Sequence, residues 1–187
     1  MPESRLSEVD WLQGGVYGAV AFIAGIVLTM TWLYFDHMGT IMQVEMAIPG
    51  DLIALSIALF YEAQFVIPTG ILTDFELTRG YIWDFGTQRG YLSAPVYYAI
   101  PVVVLLLFSA IYVYTEVEGD RLNALISGAS LAVGYLAVSF IVVLGIRFGL
   151  GQPIPVIRAI VFGVLFPVVL GGIGGLVANE VRNYTEG

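Results

Sequence analysis

Few side chains in this chain could do chemistry, and most fall in one stretch. His37 is the only histidine and stands beside Asp36. With Glu45 and Glu62 it could complete a carboxylate–histidine metal set. The plainer reading is a polar helix end at a membrane surface, and no metal or cofactor is expected. Asp51 and Glu62 are both carboxylates, but on one helix they lie about three turns apart and cannot work as a pair. Glu62 is the strongest single candidate. It follows a largely apolar run, Leu52–Tyr61, and is followed by Ala63 and Gln64. An ionisable group in such a helix marks a functional hypothesis. Desolvation there would favour the protonated carboxyl, which suits proton or cation handling. Arg147 or Arg158 would pair with it if this region folds onto their side. Otherwise Glu62 faces water or makes a structural ion pair. Glu62, Gln64, His37 and Asp36 are therefore the candidates for a ligand or ion pathway.

No catalytic residue is expected. The sequence holds no P-loop, dinucleotide fingerprint, HExxH or GxSxG pattern. GGIGG at 171–175 lies inside an apolar run, where it serves close helix packing rather than phosphate binding.

The elements that would position these residues are apolar runs. Hydrophobic residues make up 58% of the 187-residue chain and charged residues 12%, and mean hydropathy is +0.88. A soluble domain would carry about a quarter charged residues. The expected fold is all-α: a polytopic membrane bundle forming a single domain over 1–187. Four spans are read at 11–35, 95–114, 124–146 and 155–178. Trp11 and Trp32 are separated by roughly 31 Å at helical rise, so both indoles reach the interfacial belts. The N-terminus lacks the basic start and cleavage pattern of a secretory signal, so the first run is read as a retained span. Gly14 and Gly18, Gly128 and Ala132, Ser130 and Gly134, and Gly171 and Gly175 are small residues four apart, which let another helix approach closely. Pro167 should kink the last span by removing the bond to Gly163. The glycine-rich half of that span is expected to pack on the first or third.

Residues 36–94 read as an extracytoplasmic cap. A helix over about 51–66, started by Asp51, is short for a crossing and suits an interfacial or re-entrant position. A fifth span is the alternative. With four spans, Arg5, Arg121 and Arg182 face Arg79, Arg89, Arg147 and Arg158, which sets no orientation. With five, the split becomes five against two with the N-terminus inside. Helix length and Glu62 favour four spans, with both termini cytoplasmic. The alternation in 73–93, TDFELTRGYIWDFGTQRGYLS, predicts a small β-hairpin outside the bilayer.

The net charge is −8, all seven basic residues are arginine, and cysteine is absent. In molar salt the Debye length falls to about 3 Å, so an acidic surface stays hydrated at little electrostatic cost. The composition therefore points to a halophile, in particular an archaeon. Acidity argues against a nucleic-acid partner. The lack of cysteine excludes disulfides and thiolate chemistry.

Four features carry a family resemblance: TWLYFD closing the first span, LFYEAQFV at 59–66, SGASLAVGYL in the third span and FPVVLGGIGGL in the last. With these the chain resembles an uncharacterised family of haloarchaeal multi-pass membrane proteins of similar length. In that family the block after the aromatic–Tyr pair more often reads Asn-Ala-His, where this chain has Glu62, Ala63 and Gln64. The resemblance implies no established activity.

Three functions remain to be weighed. First comes a non-enzymatic accessory or structural component that binds the lipid bilayer and a membrane-protein partner or another copy of itself. Second is a small transporter or channel subunit using Glu62. A membrane enzyme comes last, because it needs a nucleophile or metal set that the sequence does not offer.

Overall fold

Long apolar runs can satisfy their backbone groups without water only as helices or closed barrels. The computed structural model describes residues 9–45, 51–64, 94–149 and 156–186, and every regular element among them is helical. These are α1 (Trp11–Glu45), α2 (Asp51–Glu62), α3 (Ala94–Glu116), α4 (Arg121–Ala129), α5 (Leu131–Gly149) and α6 (Val156–Glu186). Among the described residues, four stretches are long and apolar enough to cross a membrane: Trp11–Phe35, Val96–Glu116, Arg121–Gly145 and Val156–Thr185. The β-hairpin cap expected at 73–93 finds no support, since that segment lies outside the described residues and no strand occurs among them.

Capping follows ordinary rules. The Asp10 carboxylate accepts from the backbone N–H groups of Leu12 and Gln13 at 3.1 and 2.9 Å, closing the start of α1. Asp120 does the same for α4, accepting from the Asn123 N–H at 3.0 Å. Gly119, just before it, has φ of +127°, a conformation that a side chain would strain.

α1 outruns its apolar segment, continuing past Phe35 through Asp36 and His37 to Glu45, whereas α6 ends at Glu186, one residue past its own. Pro101 and Pro167 lie inside helices. α3 runs through Pro101 and α6 through Pro167 without a break in either. A break in the helical run falls in the third span, at Ser130. Its N–H is shared between the Ile126 and Ser127 carbonyls at 3.0 and 3.1 Å. Its hydroxyl donates to the Ser127 carbonyl at 2.6 Å. Serine bonding back onto the preceding turn competes with the helical ladder and bends it.

The four apolar stretches form a ring. α1 lies against α3 and α5, and α6 lies against α3, α4 and α5. The start of α1, the α3–α4 loop and the end of α6 share one end of the bundle. There the Tyr112 hydroxyl donates to the Asp10 carbonyl at 3.2 Å, and Arg182 donates to the Val117 carbonyl at 2.6 Å.

This end of the ring is closed by glycine. A Cβ on Gly18 would run into the Leu131 carbonyl, and one on Gly134 into that of Gly15. Gly14 abuts Ser130, Gly128 and Gly171 face each other's carbonyls, and Gly175 faces that of Ala124. Gly174 lies on Leu106 and Ser109 of α3. The smooth half of α6 thus sits on α4, the first part of the third span and one of the two neighbours the sequence pointed to, and also on α3, which the sequence did not point to. In hydrocarbon, helices gain nothing from hydrophobic burial, so such close approach supplies the dispersion contacts that hold them.

At the other end the ring is filled rather than closed. α2 packs against α1 and α3. Its last turn joins a core built from Ala21 and Phe22 of α1, Val104 and Leu105 of α3, Tyr135 and Val143 of α5, and Ala159 of α6. Gly25 provides the room, since a Cβ there would strike the Phe60 ring.

Candidate functional site

The polar side chains buried at the end of α2 form the best-defined site. Gln64 lies just past the last turn of α2 and is 1% exposed. Its backbone N–H donates to the Tyr61 carbonyl at 3.2 Å. Its side-chain Nε2 donates to the Phe60 carbonyl at 2.9 Å. The amide therefore caps the helix end that it follows, answering carbonyls a terminating helix leaves open. Its Oε1 accepts from the Tyr135 hydroxyl of α5 at 2.7 Å. One turn further along α5, the Ser139 carbonyl accepts from the Tyr61 hydroxyl at 2.8 Å. The two hydroxyls of Tyr61 and Ser139 also lie 3.1 Å apart.

Phe22 organises the aromatic rings. Its ring meets Phe60 and Tyr135 edge-on, with centroids 5.4 and 5.0 Å away. Tyr61 lies at 6.0 Å. Edge-to-face contacts of this kind add about 0.5–1.5 kcal/mol each beyond area burial. Phe22, Phe60, Tyr61 and Tyr135 are all essentially inaccessible. The result is a buried aromatic box with two phenols and one amide bonded across it.

The sequence candidates are distributed unevenly over this frame. Gln64 is central. Glu62 is the last residue of α2, between buried Tyr61 and Ala63, but its side chain lies outside what is described. Asp36 and His37 continue α1 beyond its apolar part, and their side chains also lie outside the description, as does that of Arg147. Arg158 is exposed on the first turn of α6. Asp51 and Glu62 sit at opposite ends of α2. No group of three His, Asp or Glu that could hold a metal occurs among the described residues.

Sequence reasoning passed over Tyr61, Tyr135 and Ser139. A signal was present. Tyr135 and Ser139 are four apart in an apolar run, and Tyr61 and Gln64 are three apart, so each pair shares a helix face. Two such polar pairs in different apolar helices are candidates to meet each other.

Every buried polar side chain among the described residues is neutral: Thr29, Ser56, Gln64, Ser109, Ser127, Ser130, Ser139 and Asn179. Ser109 and Thr29 are also bonded to backbone, to the carbonyls of Gly171 and Gly25.

Comparison with known proteins adds a family but no activity. The chain matches a family of unknown function, DUF7978, over residues 2–182, and it belongs to that family. No curated protein and no solved structure matches it.

Proposed function

We propose that this family member is a non-enzymatic structural or accessory component of a cell membrane. It crosses the bilayer four times and binds a membrane-protein partner or a second copy of itself. The supporting observation is the filled interior. α2 occupies the open half of the ring, and its buried amide and phenols are bonded across the bundle. The glycine contacts close the other half. A bundle packed in this way offers its outer surface to partners. The acidic, lysine-free composition supports a halophilic archaeon as the source, where low repulsion in high salt lets such a surface persist.

The test is a tagged purification from native membranes at the organism's working salt, followed by mass spectrometry and a native mass. A stoichiometric partner or a homo-oligomer is expected. A lone monomer would remove this reading.

One observation favours a second reading. α2 stops inside the bundle, and Glu62 ends it. Transporters place half-helix ends at the midplane, beside their ion and substrate sites. In that case the chain is a small transporter or channel subunit, with Glu62 carrying a proton or cation. Glu62→Gln would then abolish coupled flux in proteoliposomes. Equal flux in both forms removes this reading.

A further inference from the structure

α1 and α3 part on their outer side to leave a groove of about 310 Å³. Leu28, Thr31, Trp32 and Phe35 form one wall. Val96, Ala99, Ile100 and Val103 form the other, and Val104 lies beneath. Thr31, the only hydroxyl-bearing residue of the lining, has its hydroxyl donated to the Val27 carbonyl at 2.8 Å. Apart from Thr31 and the Trp32 indole, the lining carries no polar side chain. The groove opens outward, since Val103 is 56% and Phe35 71% exposed.

We propose that this groove holds one hydrocarbon chain of a membrane lipid. The proposal rests on the membrane-crossing reading above. Size and place decide the occupant. Leu28 to Phe35 is about 10 Å of helical rise, and a helix is at least about 10 Å across. A whole helix laid along that length displaces roughly 800 Å³, so a partner helix could put only side chains into the groove, whereas one hydrocarbon chain can lie in it along its length. A 150 Å³ apolar cavity takes one benzene, so this groove takes on the order of a dozen carbons. Both walls belong to stretches apolar enough to cross a membrane, so lipid chains are the surrounding medium. In that medium the chain gains no hydrophobic energy by entering. Contact on three sides is what distinguishes it from its neighbours in the bilayer.

Photo-crosslinking in native membranes tests this. A diazirine-bearing aliphatic residue replaces Val103 in one form and Ile141 in another. Ile141 is the more exposed of the two, at 67%, but lies on α5, outside the groove. The groove position is expected to give more lipid adduct than Ile141 despite its lower exposure. Ala99→Trp, which fills the groove, is expected to abolish that excess and leave the Ile141 adduct unchanged. Equal lipid yields at the two positions would overturn the proposal. So would a crosslink from the groove to another protein, to a second copy or to residues 65–93 of the same chain. Extraction by alkaline carbonate without detergent is a separate outcome. It would remove the membrane reading itself.

Discussion

The two ends of the bundle solve the same problem by different means. Where α1 meets α4 and α5, and α6 meets α3 and α4, helices touch backbone to backbone across glycine. Where the ring widens, a short helix enters and side chains complete the contact. The first arrangement leaves little slack, because the atom facing Gly18, Gly128, Gly134, Gly171, Gly174 and Gly175 is a backbone carbonyl that cannot rotate away. The second is adaptable, because the facing atoms belong to Phe60, Gln64 and two tyrosines. Closure by backbone and closure by side chain should therefore respond differently to substitution.

The largest effect is expected at the glycine end. Gly171→Leu drives a branched side chain into the Gly128 carbonyl. Overpacking of this kind should cost about 3 kcal/mol or more. In detergent, thermal unfolding should show a large loss or no folded protein at all. Unchanged melting would mean that the backbones are not in contact.

Gln64→Leu comes next. It removes the partner of both the Phe60 carbonyl and the Tyr135 hydroxyl. Each buried polar group left unpaired costs about 1–3 kcal/mol. Tyr135→Phe should cost less, since it orphans only the Gln64 Oε1. Tyr61→Phe should cost least of the three, because the Ser139 hydroxyl can turn to other acceptors. The order of the three melting temperatures is the readout.

Gly25→Ala sharpens the contrast with Gly171. The obstructing atoms are the rim of the Phe60 ring, which α2 can carry aside. A loss of about 1 kcal/mol is expected. A loss as large as at Gly171 would show that the α2 end is no more adaptable than the glycine end.

The smallest effect belongs to the exposed Arg121–Glu180 pair, 2.6 Å apart. Arg121→Ala should change stability by less than about 1 kcal/mol. Raising the salt should erase even that difference, because screening at about 1 M acts within 3 Å. A loss that persists in molar salt would assign Arg121 a role beyond this pair.

How much of this was legible in the sequence depends on the feature. The four long apolar runs and the small residues at four-residue spacing are there to be read. What they do not say is which neighbour each helix meets. The helices are apolar nearly all round, so no polar face orients them: the third span is one of two neighbours the sequence offers for the smooth half of α6, and its contact with α3 is not among them. The break at Ser130 was hidden for another reason. Pro167 carries the obvious signal, and α6 continues through it, whereas the third span is interrupted at a pair of serines three residues apart. The site was half legible. Gln64 stood out because an amide in an apolar stretch is conspicuous. Tyr135 and Ser139 did not, since tyrosine and serine are ordinary in such helices and only their shared face marks them.

The central claim is that the end of α2 is a fixed interior part of the bundle, tied to α5 through Gln64 and Tyr135. A double-mutant cycle on Gln64→Leu and Tyr135→Phe, read by reversible unfolding, tests it most directly. The account predicts a coupling energy of about 0.5–3 kcal/mol, because the two variants break one shared bond. Additivity within about 0.3–0.5 kcal/mol would contradict it, since residues that do not meet are expected to add.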